Sequence, residues 1–297
     1  MSTLTEPTFP LRVLGVLVVV LFAAGNTRGG SAAAVIQSTV RASDGLSIAY
    51  DVRGKGDTAL VFVHCWACDR SFWHNQLDAF AHSYEVVSLD LGGHGASDAT
   101  RKSWTILGLA GDVQAVVEWL DLKRVILVGH SMGGPVSLEA ARRMPGRVVG
   151  VILVDTVQNA EAGPTREQAD KLATQLQADF KNAMAGFIRA AFTKEADPQV
   201  IEWVVSKGCS ANQSVTLALL HDFPNLNLQR LLAGVKAPVR GLNCAPPMAP
   251  PTAIGVNRKY ADYDAVVVQD VGHFMMLERP DVFNAQLEKL LRSFAPH

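Results

Sequence analysis

An α/β fold, with a mostly parallel sheet flanked by helices and broken by a helical insert, is what this sequence predicts, on three observations. Short apolar, β-branched runs such as Ala59–His64 and Arg124–Gly129 lack the alternation of a half-solvated strand, so both of their faces are covered, as in a parallel sheet. Longer stretches with helical spacing separate these runs, and strand–helix alternation builds parallel layers. After Asp155 the alternation stops: residues 156 to about 234 are rich in Ala, Gln, Leu and Lys and read as several helices inserted between strands.

The elements follow in order. Residues 1–34 stand apart, because Arg12 precedes an apolar run, Val13–Ala24, that is short for a bilayer crossing, and Ala32-Ala33-Ala34 offers an A-x-A-like cleavage site. They read as a secretory signal peptide or, left uncleaved, as an N-terminal anchor. An exported, periplasmic or secreted protein is expected, with no stable membrane span unless this segment is retained. Residues 35–297 form the folded domain. Ser38–Arg41 and Leu46–Val52 flank an Asp44-Gly45 turn and predict a hairpin. Then come a strand at Ala59–His64, a helix at Ser71–Ala81, a strand at Glu85–Asp90 and a helix at Ile106–Leu120. The next strand–helix pair is Arg124–Gly129 and Ser131–Met144, and the strand Val148–Asp155 enters the insert. Strands resume at Val239–Leu242 and Ala265–Gln269, and a helix opened by Pro280 closes the chain.

Composition narrows the function classes. At 297 residues, 48% hydrophobic and 19% charged, the chain has enough apolar content for a deep core, and a net charge of -1 leaves no electrostatic footprint for nucleic acid. No G-x-G-x-x-G follows the first core strand and no glycine-rich phosphate loop carries a lysine, so no cofactor is implied. His64, His94, His130 and His273 are not spaced as metal ligands. Cys65, Cys68, Cys209 and Cys244 allow three full pairings, among which the sequence does not choose. Cys65-Trp66-Ala67-Cys68 has redox-motif spacing without a thioredoxin-like setting, which favours local packing or a structural disulfide.

Gly129-His130-Ser131-Met132-Gly133-Gly134 carries the chemistry. It lies between a strand and a helix, where a tight turn lifts the serine hydroxyl above the sheet and the helix N-terminus favours developing negative charge. A serine hydroxyl needs a base, and the candidate is His273, on the loop between the last strand and the last helix. That loop opens at the carboxyl edge of the sheet, where ligands bind in open α/β folds.

With these motifs in order, the chain from about Val40 onward resembles the α/β-hydrolase superfamily, esterase- or lipase-like with a serine nucleophile. His64-Cys65-Trp66 resembles its His-Gly-x oxyanion segment, Asp90-Leu-Gly-Gly-His94-Gly-Ala-Ser97-Asp98 its loop after the fourth strand, and Val271-Gly272-His273 its histidine loop. The resemblance implies an α/β-hydrolase fold with a helical cap insert at about 156–234, and an oxyanion hole made of the Trp66 and Met132 backbone N–H groups. His64, His94 and Asp90 then order loops. Two departures stand out. Cys65 replaces the usual glycine, so the oxyanion loop is adjusted, a Cys65–Cys68 bond being one means. The catalytic acid, commonly placed after the strand following the insert, is absent from Gly241–Thr252. Some members take it from the end of the preceding strand, which here is Asp155; an Asp there serves either the triad or a turn cap.

The leading expectation is a serine carboxylic ester hydrolase working on a small-molecule ester through Ser131, His273 and Asp155. Trp203, Phe187 and Phe192 are expected to roof an apolar pocket unless they are ordinary core. The same motifs also fit a cofactor-free peroxidase or perhydrolase, or a C–C bond hydrolase. A different class, a catalytically silent ligand-binding module, shares the fold.

Overall fold

The computed structural model describes residues 36–294, so the proposed signal peptide or anchor lies outside the described residues. The expected hairpin forms from β1 (Ile36–Arg41) and β2 (Ser47–Arg53), joined by a turn in which Gly45 takes φ +89°. Then follow β3 (Ala59–Val63), a 3-10 turn at Arg70–Trp73, α1 (His74–Phe80), β4 (Glu85–Leu89) and α2 (Ala110–Trp119). Next are β5 (Val125–His130), α3 (Gly133–Arg143) and β6 (Val148–Val154). The continuous apolar runs are buried on both faces as expected: every residue of β3 and of β5 is buried.

Five α-helices fill the expected insert: α4 (Arg166–Ala178), α5 (Phe180–Arg189), α6 (Pro198–Cys209), α7 (Gln213–Asp222) and α8 (Leu228–Ala233). The sheet resumes with β7 (Val239–Cys244). It continues through α9 (Ile254–Asn257), β8 (Tyr263–Val268), α10 (Met275–Glu278) and α11 (Pro280–Arg292). The eight strands lie in the order β1-β2-β4-β3-β5-β6-β7-β8; β2 is antiparallel to both neighbours, and the rest are parallel. The chain runs outward from β3 to β4 and then crosses back to β5, so the connections diverge between β3 and β5. That switch point opens a crevice at the carboxyl ends of these two strands, below the helical insert.

Several element ends differ from the sequence expectation because tertiary contacts decide them. The expected helix at Ile106–Leu120 starts only at Ala110: residues 105–109 wind in tighter turns whose N–H groups donate three residues back, and the Ile106 N–H donates to an Asp222 oxygen at 2.7 Å. The helix expected from Ser71 opens as the 3-10 turn, capped by Asp69, which accepts from the Ser71 N–H at 2.9 Å. α9 and α10 had no clear periodicity to announce them. No helix among the described residues is long and apolar enough to cross a membrane.

Candidate active site

Ser131 ends β5 in the left-handed region, at φ +52°, and therefore stands outside α3, which begins two residues later instead of at the serine. Its N–H donates to the Val154 carbonyl at 3.0 Å, fixing the turn against the neighbouring strand. The turn depends on its glycines. A Cβ on Gly129 would lie 2.2 Å from the Gly133 carbonyl oxygen, and one on Gly133 would lie 2.4 Å from the Val63 carbonyl oxygen. No side chain fits either gap.

The loop after β3 comes alongside. Cys65 and Cys68 are disulfide-bonded, while Cys209 and Cys244 are free. The bond brackets Trp66 and Ala67, and Ala67 takes φ +56°. The Trp66 indole N–H donates to the Thr216 carbonyl of α7 at 2.9 Å, tying this loop to the insert. Among the described hydrogen bonds, neither the Trp66 nor the Met132 backbone N–H meets a protein acceptor. Below, His64 joins two loops: its Nε2 accepts from the Leu91 N–H at 2.9 Å, which leaves Nδ1 to donate to the Cys65 carbonyl at 2.7 Å. Burial pushes the His64 pKa down to about 4, so the ring is neutral, as that bonding pattern requires. Asp90 orders the next loop, accepting from the backbone N–H groups of Arg70 and Ala96 and from the Arg70 guanidinium.

His273 and Asp155 meet. Nδ1 of His273 lies 2.5 Å from Oδ2 of Asp155, and Asp155 itself is buried at the end of β6 at φ +45°. Its other oxygen, Oδ1, accepts from the Cys244 N–H, the Cys244 thiol and the Gln158 amide, each at 3.1 Å. Burial raises the Asp155 pKa, but the bonds from His273 and Cys244 outweigh it and hold the carboxyl below its ordinary value. Burial likewise pushes the Cys244 thiol up, so it remains a neutral donor. The stretch after β7 that lacks an acid thus contributes a thiol and a backbone N–H to the acid at the end of β6.

Ser131 and His273 line the same cavity. Among the described hydrogen bonds none joins the His273 ring to Ser131; contacts of this type tighten when a ligand fills the site.

The histidine loop has supports that sequence reasoning missed. His130, the variable residue inside the serine motif, donates from Nε2 to the His273 carbonyl at 2.8 Å, and its ring centroid lies 4.6 Å from that of His273. Burial lowers the His130 pKa well below the usual value, which keeps it a neutral donor. The His273 N–H donates to the Ala191 carbonyl of the insert at 2.8 Å. Glu278 accepts from the Gly272 N–H at 3.1 Å and from the Thr193 hydroxyl at 3.0 Å. Apart from the neighbouring Gly272 and Glu278, these partners are far apart in sequence and follow no pattern, so only the fold brings them together.

Above Ser131 lies a cavity of about 450 Å³, and a second of about 280 Å³ adjoins it. Phe187, one of the aromatics expected over the pocket, lines the larger cavity. The other two are packing residues: Phe192 stacks on Phe274 with centroids 5.0 Å apart, and Trp203 packs against Phe72 at 4.9 Å. No group of three or more His, Cys, Asp or Glu among the described residues is arranged to hold a metal ion.

Comparison with known proteins agrees with this architecture. The profile of the alpha/beta hydrolase family matches residues 60–286. The chain belongs to that family. It is 40% identical over 122 residues to a non-heme chloroperoxidase of Streptomyces lividans, covering 40% of this chain and 44% of that protein. It is 36% identical over 119 residues to the dihydrolipoyllysine-residue acetyltransferase component of the acetoin cleaving system of Cupriavidus necator, covering 40% of this chain and 32% of that protein. The matches thus span less than half the length of either relative. An esterase from Exiguobacterium antarcticum has the same fold, with a TM-score of 0.78 at 22% identity over 86% of this chain and 98% of its own.

Proposed function

We propose that the chain is a serine carboxylic ester hydrolase in which Ser131 is the nucleophile, His273 the base and Asp155 the group that orients it. The Asp155–His273 hydrogen bond, on the wall of the smaller cavity that Ser131 also lines, carries this reading. Ser131 Oγ attacks the ester carbonyl carbon while His273 Nε2 takes the hydroxyl proton, since Nδ1 is committed to Asp155. The oxygen of the tetrahedral intermediate gains charge and accepts from the Met132 and Trp66 N–H groups, which have no other partner among the described residues. His273 returns the proton to the leaving alcohol, leaving an acyl group on Ser131. Water, activated by the same histidine, then releases the acid. On the same footing, residues 1–34 support export, and an oxidising compartment would preserve the Cys65–Cys68 bond.

The test is Ser131→Ala with p-nitrophenyl acetate: cleavage is expected to fall to the uncatalysed level, and unchanged turnover sinks the proposal. Covalent labelling by a fluorophosphonate, expected for the parent protein and lost in the variant, separates an enzyme from a silent binding module.

The likeness to a non-heme chloroperoxidase favours one second reading. Hydrogen peroxide in place of water attacks the acyl group on Ser131 and leaves as a peracid. Measuring peracid from acetate and hydrogen peroxide beside ester cleavage identifies which nucleophile is preferred.

A further inference from the structure

Two chambers, not one, meet at Ser131 and His273, and both residues belong to the walls of each. The larger, about 450 Å³, extends under the insert between Leu172, Met184, Phe187, Ile188, Val204 and Leu220. The smaller, about 280 Å³, runs along the ends of β6 and β7 past Thr156, Gln158, Leu226 and Ala249. Pro164, Phe223 and Met248 border both and form the partition. Besides Ser131, His273 and the Trp66 indole, whose N–H is spent on Thr216, the larger chamber has one hydrogen-bonding side chain, Gln168. The smaller adds the Thr156 hydroxyl and the Gln158 amide, whose NH2 also donates to Asp155. No Lys or Arg lines either chamber, and the acid on the smaller wall, Asp155, is already held by His273.

Geometry connects this to substrate. A carbonyl carbon bonded to Ser131 Oγ has its oxygen turned to the backbone donors, so its two remaining substituents, the acyl chain and the leaving oxygen, depart in different directions. Each requires a space of its own, and the two spaces are unequal in size and polarity. A substrate carboxylate or phosphate in either would lose its water and find no cation in the walls. We infer that the substrate is a neutral ester with unequal arms: a long apolar arm in the larger chamber, and a compact arm, tolerant of an uncharged polar group, in the smaller. This rests on the ester-hydrolase reading above and specifies its substrate class.

Two ester series test it, ethyl alkanoates from acetate to octanoate and alkyl acetates from ethyl to octyl, with kcat/KM measured for each. In one series kcat/KM is expected to climb about fourfold per methylene, the worth of burying a CH2 group, and in the other it does not. Octyl octanoate is expected at least about tenfold below the better singly extended ester. A half-ester of a dicarboxylic acid of matched length is expected more than about a hundredfold below its neutral counterpart. Leu172→Trp, which narrows the larger chamber, is expected to cut the long-to-short preference at least about tenfold. Leu226→Ala, which widens the smaller one, raises octyl octanoate relative to the singly extended esters. Equal climbs in both series, full activity on octyl octanoate or indifference to the charged half-ester each overturn the inference. If that happens while fluorophosphonate labelling and p-nitrophenyl acetate cleavage persist, the ester-hydrolase reading stands and only the chamber assignment falls. Loss of both signals in the parent protein overturns the two together.

Discussion

Asp155 holds a carboxylate in a place that burial makes costly, and it does so by recruiting donors. One oxygen faces His273; the other accepts from the Cys244 N–H, the Cys244 thiol and the Gln158 amide. Because these bonds outweigh burial, the group is ionised wherever the pH exceeds the ordinary carboxylate value. Its stabilising effect is lost only as pH falls below that range, through the lowered folded value. Asp155→Asn puts an amide against Nδ1 and favours the wrong tautomer, so kcat on p-nitrophenyl acetate is expected to drop about 10³- to 10⁴-fold. A variant that keeps a tenth of its rate would show that another group orients His273. Cys244→Ala removes one weak donor of three. A loss in kcat of about three- to tenfold is expected, restored by Cys244→Ser, whose hydroxyl donates to the same oxygen. Asp155 was legible only through the family resemblance, by the lack of an acid after β7. The Cys244 contact was not legible at all, because nothing in Leu242-Asn243-Cys244 announces which way a thiol faces.

The loop after β3 shows the same division at the scale of an element. The family resemblance implied Trp66 as an oxyanion donor, and the four cysteines left three pairings open. The structure closes Cys65, which stands in place of the usual glycine, onto Cys68. With Ala67 at φ +56° and the Trp66 indole fixed to Thr216, the loop is held at both its backbone and its side chain. Reduction removes the covalent hold and leaves two thiols facing the cavity. Losing one oxyanion donor outright costs about 10²- to 10³-fold in kcat, so loosening it through dithiothreitol is expected to cost about tenfold or more. A Cys68→Ser variant should begin at that lower rate and be indifferent to the reductant. A parent enzyme that runs equally fast before and after reduction, with free thiols counted to confirm the cleavage, would mean that Thr216 and the flanking strand alone set the donor.

For the molecule as a whole, the strands were readable because continuous apolar runs such as Val125–Val128 have one physical use, burial on both faces. What escaped reading depends on distant partners: Asp222 of the insert takes the Ile106 N–H in the turn ahead of α2, and His130 supports His273 across more than a hundred residues. Buried histidines of this kind also determine how the fold meets acid. His64 and His94 are fully buried, and burial pushes their pKa values down to about 4 and about 3; His130 shifts the same way. Asp69 and Asp90 beside the first two oppose the shift without reversing it, and Arg70 adds to it at His64. These rings are neutral in the folded chain but take up protons in the unfolded one below about pH 6.5. Their contribution to stability is therefore intact above pH 6.5 and drains away as pH falls toward 4, by on the order of 3 kcal/mol for a ring such as His64. Burial raises the carboxyls of Asp112 and Glu278, which push the other way over part of that window. The comparison that isolates a histidine is thus between the parent and His94→Gln, whose side chain is uncharged at every pH. The urea midpoint of the parent is expected to fall more steeply between pH 7 and pH 4.5 than that of the variant. Equal slopes would remove His94 from the account and leave the acid sensitivity to His64 and His130.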